Sequence, residues 1–329
     1  MIEKLQTVDA FIVFDLHTAP TAMGVVRSAR KILTTGASDL ARSQTYTFAT
    51  FEMRHSGASA GINATDETRS DAIDKFASEI APMVATGRFM PEPGTRVPRS
   101  ALKSLTPNDQ RANIGTIADQ ALTAGVIAAA NFATNGLEGR SVSIEGFGIS
   151  GPALAKAVMA QGGKVVAVCA NDKGAVAPSG FSADALSTPD AVPFKEQTAA
   201  QALATPADVL LAGSKMGAIN HTVAEQLNVK ALVPYAPIPV TAKALATLTR
   251  AGTKVIPDFI STAGALFAWW PSTNTGTTTI LTDAANKISI SLQEIADHPD
   301  GLFLAACYRA EAFLTTWQKT LPFGRPLAA

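Results

Sequence analysis

The sequence predicts an α/β protein of two domains, the second of which is built on a parallel sheet. Short apolar strands alternate with helices from residue 141 to residue 257, and such alternation favours parallel strands joined by right-handed crossovers. A glycine-rich turn stands between the first of these strands and its helix. The length of 329 residues gives room for two hydrophobic cores.

The first 125 residues are expected to form an α/β domain of their own. Residues 67–84 carry apolar side chains every three or four positions, which predicts an amphipathic helix. Residues 45–52 alternate and are rich in β-formers, which predicts a strand, whereas the small residues at 54–61 predict a loop. The other expected elements are strands at 10–16 and 88–90, a helix at 37–44, a turn at 17–24 and an irregular segment at 91–98.

The second domain is expected to span residues 126–283, with its boundary along an alanine-rich helix at 114–132. It is predicted to contain strands at 141–145, 164–169, 207–212, 231–234 and 254–257, helices at 152–161, 182–186, 198–203, 222–227 and 241–251, and a loop at 172–180. Helices are also predicted near the C-terminus, and the segment 284–329 is expected to join the first domain.

The composition excludes several classes of function. The formal net charge at pH 7 is +0, so there is no electrostatic argument for binding nucleic acid or an anionic membrane. A run of about 18 apolar residues and a secretory signal are both missing, and we therefore expect a cytoplasmic protein. Cys169 and Cys307 lie in apolar stretches and are expected to be reduced core residues, and we expect no metal site.

The turn after residue 145 has the G-x-G-x-x-G spacing of a dinucleotide-binding site. Gly146 permits the tight turn, Gly148 lets a pyrophosphate approach the backbone, and Gly151 lets helix and strand pack closely. The start of the next helix adds free N–H groups and a positive dipole. The residues predicted to contact the cofactor are Gly146, Phe147, Gly148, Ile149, Ser150 and Gly151 in the turn, Asn171, Asp172 and Lys173 after the second strand, and Gly213, Ser214 and Lys215 after the third. The alternative is a glycine-rich turn that binds no nucleotide.

Four segments carry a resemblance to a known family: LARSQTYTFA at 40–49, GRFMPEPGT at 87–95, LEGRSVSIEGFGISG at 137–151 and VIPDFISTAGA at 255–265. In this order they resemble the glutamate/leucine/phenylalanine/valine dehydrogenase superfamily, with a pattern closest to leucine dehydrogenase. The resemblance implies an N-terminal domain that binds the small-molecule substrate and forms homo-oligomers, a C-terminal Rossmann domain, and hydride transfer in the cleft between them. Enzymes of this family oxidatively deaminate L-amino acids with NAD or NADP.

The chain departs from the family where the family holds its substrate. The lysine that binds the substrate carboxylate falls on Thr47, and the catalytic lysine falls on Ser59. A hydroxyl group has no charge and cannot replace either lysine electrostatically. The paired glycines that admit the carboxylate fall near Met23 and Gly24, where Met23 narrows the space.

The acid–base groups also differ from the family pattern. The general-base aspartate falls on Glu92, and the asparagines near the nicotinamide fall on Pro237 and Thr262. His55 and Arg54 occupy the region of the family's catalytic turn, where either residue could orient the substrate or transfer a proton. Glu92, His55 and Arg54 are therefore the catalytic candidates, and the alternative for each is a solvated loop side chain.

The choice between the two nicotinamide cofactors depends on the end of the second strand. The acidic residue that binds the adenine ribose in the family falls on Ala170, which cannot bind a hydroxyl group. We expect Asp172 to face the ribose and to favour NAD, whereas an inward-facing Lys173 would favour NADP.

Three functions remain open from the sequence. We favour an NAD(P)-dependent oxidoreductase acting on a substrate other than a simple L-amino acid, because the cofactor turn is intact and the family lysines are replaced. The second is an orthodox L-amino-acid dehydrogenase. The third is a nucleotide-binding lyase or a redox-inactive regulatory homologue.

Overall fold

The computed structural model describes residues 1–194, 197–272, 276–321 and 323–328. The chain divides into two compact units, the first formed by Met1–Gly115 with Cys307–Pro326 and the second by Thr116–Ala306 with Leu327–Ala329. Among the described residues, none of the helices combines the length and apolar character that a membrane span requires.

In the described part of the chain, the first unit contains a five-stranded sheet with the order β1-β2-β4-β3-β5. Strand β3 runs parallel to β4 and β5, and β2 runs antiparallel to β1 and β4. The strands are β1 (Ile2–Lys4), β2 (Ala10–Phe14), β3 (Ala22–Ala29), β4 (Ser56–Asn63) and β5 (Met90–Pro93), and the helices are α1 (Thr34–Thr50), α2 (Arg69–Ala85) and a 3-10 helix (Arg99–Asn108).

The two helices of the first unit cover opposite faces of this sheet. Phe76 and Ile80 of α2 join Ile12 and Ile62 of the sheet in one buried cluster. On the opposite face, α1 packs on β2 through a cluster formed by Phe11, Val13, Ala37 and Ala41. The alternation of side chains along each strand assigns odd-numbered residues of β3 to the α1 side of the sheet.

The predicted strand at 45–52 is wrong, because this segment continues helix α1. The side chains of Thr45, Thr47 and Thr50 are buried, and each hydroxyl donates to the carbonyl oxygen four residues earlier, at 3.2, 2.9 and 2.8 Å. The helix thus satisfies the buried hydroxyl groups locally, and tertiary burial overrides the β-propensity of threonine.

The predicted loop at 54–61 is also wrong, because β4 begins at Ser56. The small residues are there to let helix α1 approach the strand closely. A Cβ atom at Gly57 would lie 1.8 Å from the Ala41 carbonyl oxygen of α1. Strand β3 begins within the segment expected to be a turn at 17–24.

In the described part of the chain, the second unit contains a seven-stranded sheet with the order β12-β11-β10-β6-β7-β8-β9. Strands β6, β7, β10, β11 and β12 are parallel, which confirms the α/β class. The strands are β6 (Ser141–Glu145), β7 (Lys164–Ala170), β8 (Lys173–Val176), β9 (Gln197–Thr198), β10 (Ala207–Ala212), β11 (Val229–Pro234) and β12 (Lys254–Val255). The helices are α3 (Thr116–Thr134), α4 (Gly151–Ala160), α5 (Ala199–Leu203), α6 (His221–Gln226), α7 (Ala242–Arg250), α8 (Asp258–Ser261), α9 (Gly264–Trp269) and α10 (Thr277–Gln293). Helix α11 (Gly301–Leu314) is divided between the two units after Ala306.

Two features of the second unit differ from the expectation. The predicted loop at 172–180 is wrong in its first half, because β8 folds back on β7 as a hairpin. Helix α3 is continuous through the expected boundary at 125/126, and it packs tightly on α9 and α10. A Cβ atom at Gly264 would lie 2.0 Å from the Ala121 carbonyl oxygen, and one at Gly125 would lie 2.4 Å from the Ile288 side chain. Residues 284–306 therefore fold with the second unit rather than the first.

Candidate functional site

The glycine turn links β6 to α4, and its three glycines have different surroundings. Gly146 has a φ of +84°, and a Cβ atom there would lie 2.6 Å from the Ser214 Cα atom. A Cβ atom at Gly151 would lie 2.8 Å from the Phe147 ring. At Gly148 a Cβ atom would meet only the Gly146 carbonyl oxygen, at 3.8 Å. Gly146 and Gly151 are thus required by the fold, whereas the space at Gly148 is open.

The open space at Gly148 fits a pyrophosphate. Gly148, Ile149 and Ser150 are exposed, and α4 begins at the next residue with Pro152 in its first turn. The N–H groups of the first helical turn have no intrahelical carbonyl partner, and together with the helix dipole they favour an anion. The residues of the turn therefore suit the dinucleotide that the sequence predicted, and Gly148 leaves room for its phosphates.

A buried carboxylate holds the turn against the neighbouring loop. One oxygen of the buried Glu145 side chain, Oε2, accepts the N–H groups of Gly213 and Ser214, both at 3.0 Å. The hydroxyl of Tyr235 donates to the carbonyl oxygens of Glu145 and Gly146, at 2.7 and 2.5 Å. The ends of β6, β10 and β11 are thereby fixed together. Sequence reasoning missed Glu145 and Tyr235, since an apolar strand gives no signal for a polar residue at its end.

The same cluster affects two titratable groups. Burial, followed by the nearby charge of Glu145, raises the pKa of the Cys169 thiol to about 12. Burial and the charge of Glu145 also raise the pKa of Tyr235. Both groups therefore stay protonated near neutral pH, and the Tyr235 hydroxyl remains a hydrogen-bond donor. Cys169 and Cys307 are buried and unbridged.

The candidates for binding the adenine ribose lie in the hairpin turn between β7 and β8. Ala170 pairs with Lys173, and Asn171 has a φ of +55° between them. The side chains of Asn171, Asp172 and Lys173 are all exposed. Lys215, after β10, is also exposed. The turn thus presents both the acidic and the basic candidate to solvent.

In the first unit, adjacent strands bring one predicted substrate-binding residue, Ser59, and one catalytic candidate, Glu92, into the same row across the sheet. Val25 of β3 pairs with Ser59 of β4 on one side and with Glu92 of β5 on the other. Ser59 is buried, and its Oγ atom lies 3.5 Å from the Val25 carbonyl oxygen. Met23 lies two residues earlier on the same face of β3. The side chain between Ser59 and Glu92 is therefore that of Val25. Sequence reasoning missed Val25, because register between distant strands is not visible in the chain.

The carboxylate of Glu92 is neutralised by a buried arginine. Arg111 Nη1 donates to Glu92 Oε1 at 2.6 Å, and Arg111 Nη2 lies 2.7 Å from Asp109 Oδ2. Burial lowers the pKa of Arg111, but the hydrogen bonds and charges of Asp109 and Glu92 outweigh this effect and raise the pKa overall. Arg111 therefore stays charged and stabilises the ionised form of Glu92.

The remaining candidates of the first unit lie outside this row. Thr47 is buried and its hydroxyl donates to the Ser43 carbonyl oxygen. His55 directly precedes β4, about 13 Å along the chain from Ser59. The His55 ring lies 5.1 Å from the Phe48 ring, and burial lowers the pKa of His55, so the ring is neutral near pH 7. Arg54 is exposed.

Pro237 and Thr262 lie near a buried carboxylate of the second unit. Asp258 accepts the N–H group of Ile238 at 2.8 Å through its side chain, and the Thr262 hydroxyl donates to the Asp258 carbonyl oxygen at 2.8 Å. Ile238, directly after Pro237, has a φ of +42°, which is unfavourable for a β-branched residue. Within the described ranges, no group of three His, Cys, Asp or Glu side chains is arranged to hold a metal ion.

The family model and the relatives that match this chain all describe dehydrogenases. Residues 117–268 match the family described as Glutamate/Leucine/Phenylalanine/Valine dehydrogenase. The NADP-specific glutamate dehydrogenase of Saccharolobus shibatae is 29% identical over 159 residues, covering 45% of this chain and 38% of that protein. NADP-specific glutamate dehydrogenase A1 of Halobacterium salinarum is 26% identical over 268 residues, covering 68% of this chain and 63% of that protein. The matches thus span less than two thirds of either relative.

Solved structures share the fold at low sequence identity. The hetero-hexameric glutamate dehydrogenase of Thermus thermophilus, in its leucine-bound form, has a TM-score of 0.82 at 19% identity and covers 94% of this chain and 84% of its own. The L-tryptophan dehydrogenase of Nostoc punctiforme has a TM-score of 0.67 at 17% identity and covers 97% of this chain and 96% of its own.

Proposed function

We propose that this chain, which belongs to the glutamate/leucine/phenylalanine/valine dehydrogenase superfamily, is an NAD(P)-dependent oxidoreductase acting on a substrate other than a simple L-amino acid. One observation carries the proposal. The glycine turn keeps the open space at Gly148, whereas the row of the first unit presents Ser59 and Val25 beside an arginine-bound Glu92.

The cofactor would be held by the backbone of residues 146–151, with Asp172 or Lys173 near the adenine ribose. A nicotinamide dinucleotide bound there supplies reversible hydride transfer. The hydrogen bond from the Gly213 N–H group to Glu145 holds the loop after β10 against the end of β6. The backbone around the turn is therefore ordered before the cofactor binds, which lowers the entropy cost of binding.

The side chains predicted to contact the substrate argue against oxidative deamination. That reaction needs a group to activate the water that attacks the imine, and a positive charge beside the water oxygen, which becomes negative as it loses its proton. Thr47 and Ser59 carry no charge, and the ionised Glu92 is held by Arg111. Glu92 remains the best-placed carboxylate for proton transfer among the candidates.

The proposal also covers the oligomeric state and the cellular location of the protein. Homologous enzymes named above include a hetero-hexamer, and we propose a homo-oligomer of this chain in the cytoplasm. Light scattering of the purified chain measures the assembly, and a monomer at micromolar concentration would contradict this part of the proposal.

Assays with L-leucine, L-phenylalanine, L-valine and L-glutamate test the substrate proposal. Each is offered with NAD and with NADP, and the formation of reduced nicotinamide is followed by absorbance. We expect poor turnover of all four, while a titration of the same preparation with both cofactors shows saturable binding. Efficient turnover of any of the four would instead support an orthodox amino-acid dehydrogenase.

A further inference from the structure

Arg27, on strand β3, has one guanidinium edge without a hydrogen-bond partner among the described residues. Its Nε and Nη2 atoms are buried, and neither has a hydrogen-bond partner among the described residues. The side chain as a whole is half-buried. Burial lowers the pKa of Arg27, yet an arginine remains charged near neutral pH. One edge of a charged group is therefore shielded from water, and none of the described carboxylates binds it.

The two atoms without partners form one edge of the guanidinium, and this edge matches the two oxygens of a carboxylate. Other arginines of the first unit show what the edge normally binds. Within the described residues, Nε and Nη2 contact a carboxylate at 2.7–3.0 Å in the pairs Arg42–Asp15, Arg111–Asp109 and Arg325–Glu311. The same edge of Arg27 thus suits an acceptor that the described residues do not supply.

The position of Arg27 places its side chain on the same face of the sheet as the row of Ser59, Val25 and Glu92. Arg27 follows Val25 by two residues, so both side chains lie on the α1 side of the sheet, about 6.6 Å apart along the strand. Its neighbour on β4 is Gly61, which has no side chain to pair with it. Gly94 packs against the aliphatic part of the Arg27 side chain, since a Cβ atom at Gly94 would lie 3.1 Å from Arg27 Cγ.

The two buried donors of Arg27 require an explanation. Buried donors without acceptors are destabilising, and native proteins rarely retain them unless a ligand, an ion or water supplies the acceptors. A carboxylate provides two oxygens and one negative charge, which one guanidinium neutralises. A phosphate dianion would bring a second negative charge. The guanidinium of Arg111 does not neutralise this charge, because it already binds Glu92 and Asp109.

We propose that the Nε–Nη2 edge of Arg27 binds the carboxylate of the substrate, in place of the positive charge missing at Thr47. This inference rests on the proposed function and specifies its substrate as a carboxylic acid. The substrate carboxylate then binds to strand β3 rather than to helix α1. Its position is two residues along β3 from Val25, which pairs with Ser59 and Glu92. Arg27 becomes a substrate-binding residue that neither the spacing of the chain nor its motifs indicated.

Binding of small acids to Arg27→Met and wild-type protein tests the proposal without turnover. The probes are pyruvate and phenylpyruvate, with pyruvamide as the uncharged analogue and inorganic phosphate as the second anion. Each is titrated calorimetrically at low ionic strength, with and without oxidised NAD, so that no hydride is available to transfer. We expect the wild type to bind at least one of the two acids, pyruvamide to bind poorly, and Arg27→Met to weaken acid binding about 10- to 100-fold.

Two further variants separate recognition from a structural role. Arg27→Lys keeps the charge but loses the bidentate edge, and an intermediate affinity is expected. The exposed Arg30, three residues along, provides the matched control, and Arg30→Met should bind the acids as the wild type does. Because none of the described carboxylates pairs with Arg27, Arg27→Met should unfold at the same or a higher urea concentration than the wild type.

Several results would overturn the inference. These are equal acid affinity in Arg27→Met and wild type, saturable binding of phosphate alone, no saturable binding of either acid by the wild type, or a lower urea midpoint for Arg27→Met. A separate titration with NADH distinguishes the two proposals. If NADH binds and the Arg27 variants behave like wild type, only the inference fails, whereas a wild type that binds neither NADH nor NADPH contradicts the proposed function itself.

Discussion

Replacing Gly148 by valine should remove cofactor binding without weakening the fold. Gly148 is exposed, its φ lies outside the left-handed region, and an added Cβ atom meets only one backbone oxygen at 3.8 Å. A side chain at such a position changes the free energy of unfolding by less than about 1 kcal/mol, in part by reducing the freedom of the unfolded chain. Any loss of binding would therefore come from the ligand side of the turn.

The expected loss follows from the contact that valine prevents. A pyrophosphate must approach the backbone of the turn closely, and a hydrogen bond to a charged group contributes about 1.5–3 kcal/mol. Losing one such contact raises the dissociation constant about 10- to 150-fold. Calorimetric titration with NADH and NADPH measures this change, and thermal unfolding of the same samples checks the fold.

Gly146→Ala and Gly151→Ala are the matched controls within the same turn. At Gly146 the φ of +84° costs an alanine about 1–2 kcal/mol, and the Ser214 contact adds to it. At Gly151 the new methyl group meets the Phe147 ring. Both variants should lower the melting temperature, by about 2–4 °C for each kcal/mol. A folded Gly148→Val protein with wild-type cofactor affinity, or a Gly148→Val protein that fails to fold, would refute this reasoning.

Further predictions concern cofactor choice and stability. Asp172→Ala should shift the ratio of NAD to NADP affinity towards NADP, as measured by the two dissociation constants, and an unchanged ratio would show that Asp172 does not face the ribose. Burial raises the pKa of Asp208, but hydrogen bonds from Lys230 and Ser141 outweigh this effect and lower it to about 2. This group therefore stabilises the fold above its unfolded pKa of about 3.9 and loses that contribution as the pH falls towards 2. In urea titrations, Asp208→Asn should show a flatter pH dependence of the midpoint below about pH 4, and a slope equal to that of wild type would contradict the assignment. Arg111→Met removes the buried guanidinium that binds Glu92 and Asp109 and should lower the free energy of unfolding by about 3–5 kcal/mol, measured by urea titration; a change below about 1 kcal/mol would show that these ion pairs contribute little.

The second unit could be predicted from the sequence because its signals are local. The strand before Gly146, the spacing of the glycines and the helix after them lie within about twenty residues, and each segment has its own periodicity. The strand order and the hairpin at β8 were harder to predict. The turn at Asn171 and Asp172 resembles an ordinary loop until the pairing of Ala170 with Lys173 is known.

The first unit was predicted less well because its determinants are tertiary. Residues 45–52 have the composition of a strand, yet their hydroxyl groups are satisfied inside a buried helix. The row of Ser59, Val25 and Glu92 joins three strands that are distant in sequence, and register of this kind leaves no trace in a single chain. The missing partner of Arg27 can be recognised only after the surroundings of the side chain are known.

Hydride transfer to a carbonyl acid is the most direct test of the central claim. Purified protein is mixed with NADH or NADPH and a panel of carbonyl-containing carboxylic acids, with and without ammonia, and the absorbance of the reduced nicotinamide is followed. The account predicts oxidation of the cofactor by an acid outside the 2-oxo acids of leucine, phenylalanine, valine and glutamate, and a loss of this activity in Gly148→Val. Tight binding of the cofactor with no oxidation by any acid in the panel would contradict the account and favour a redox-inactive homologue.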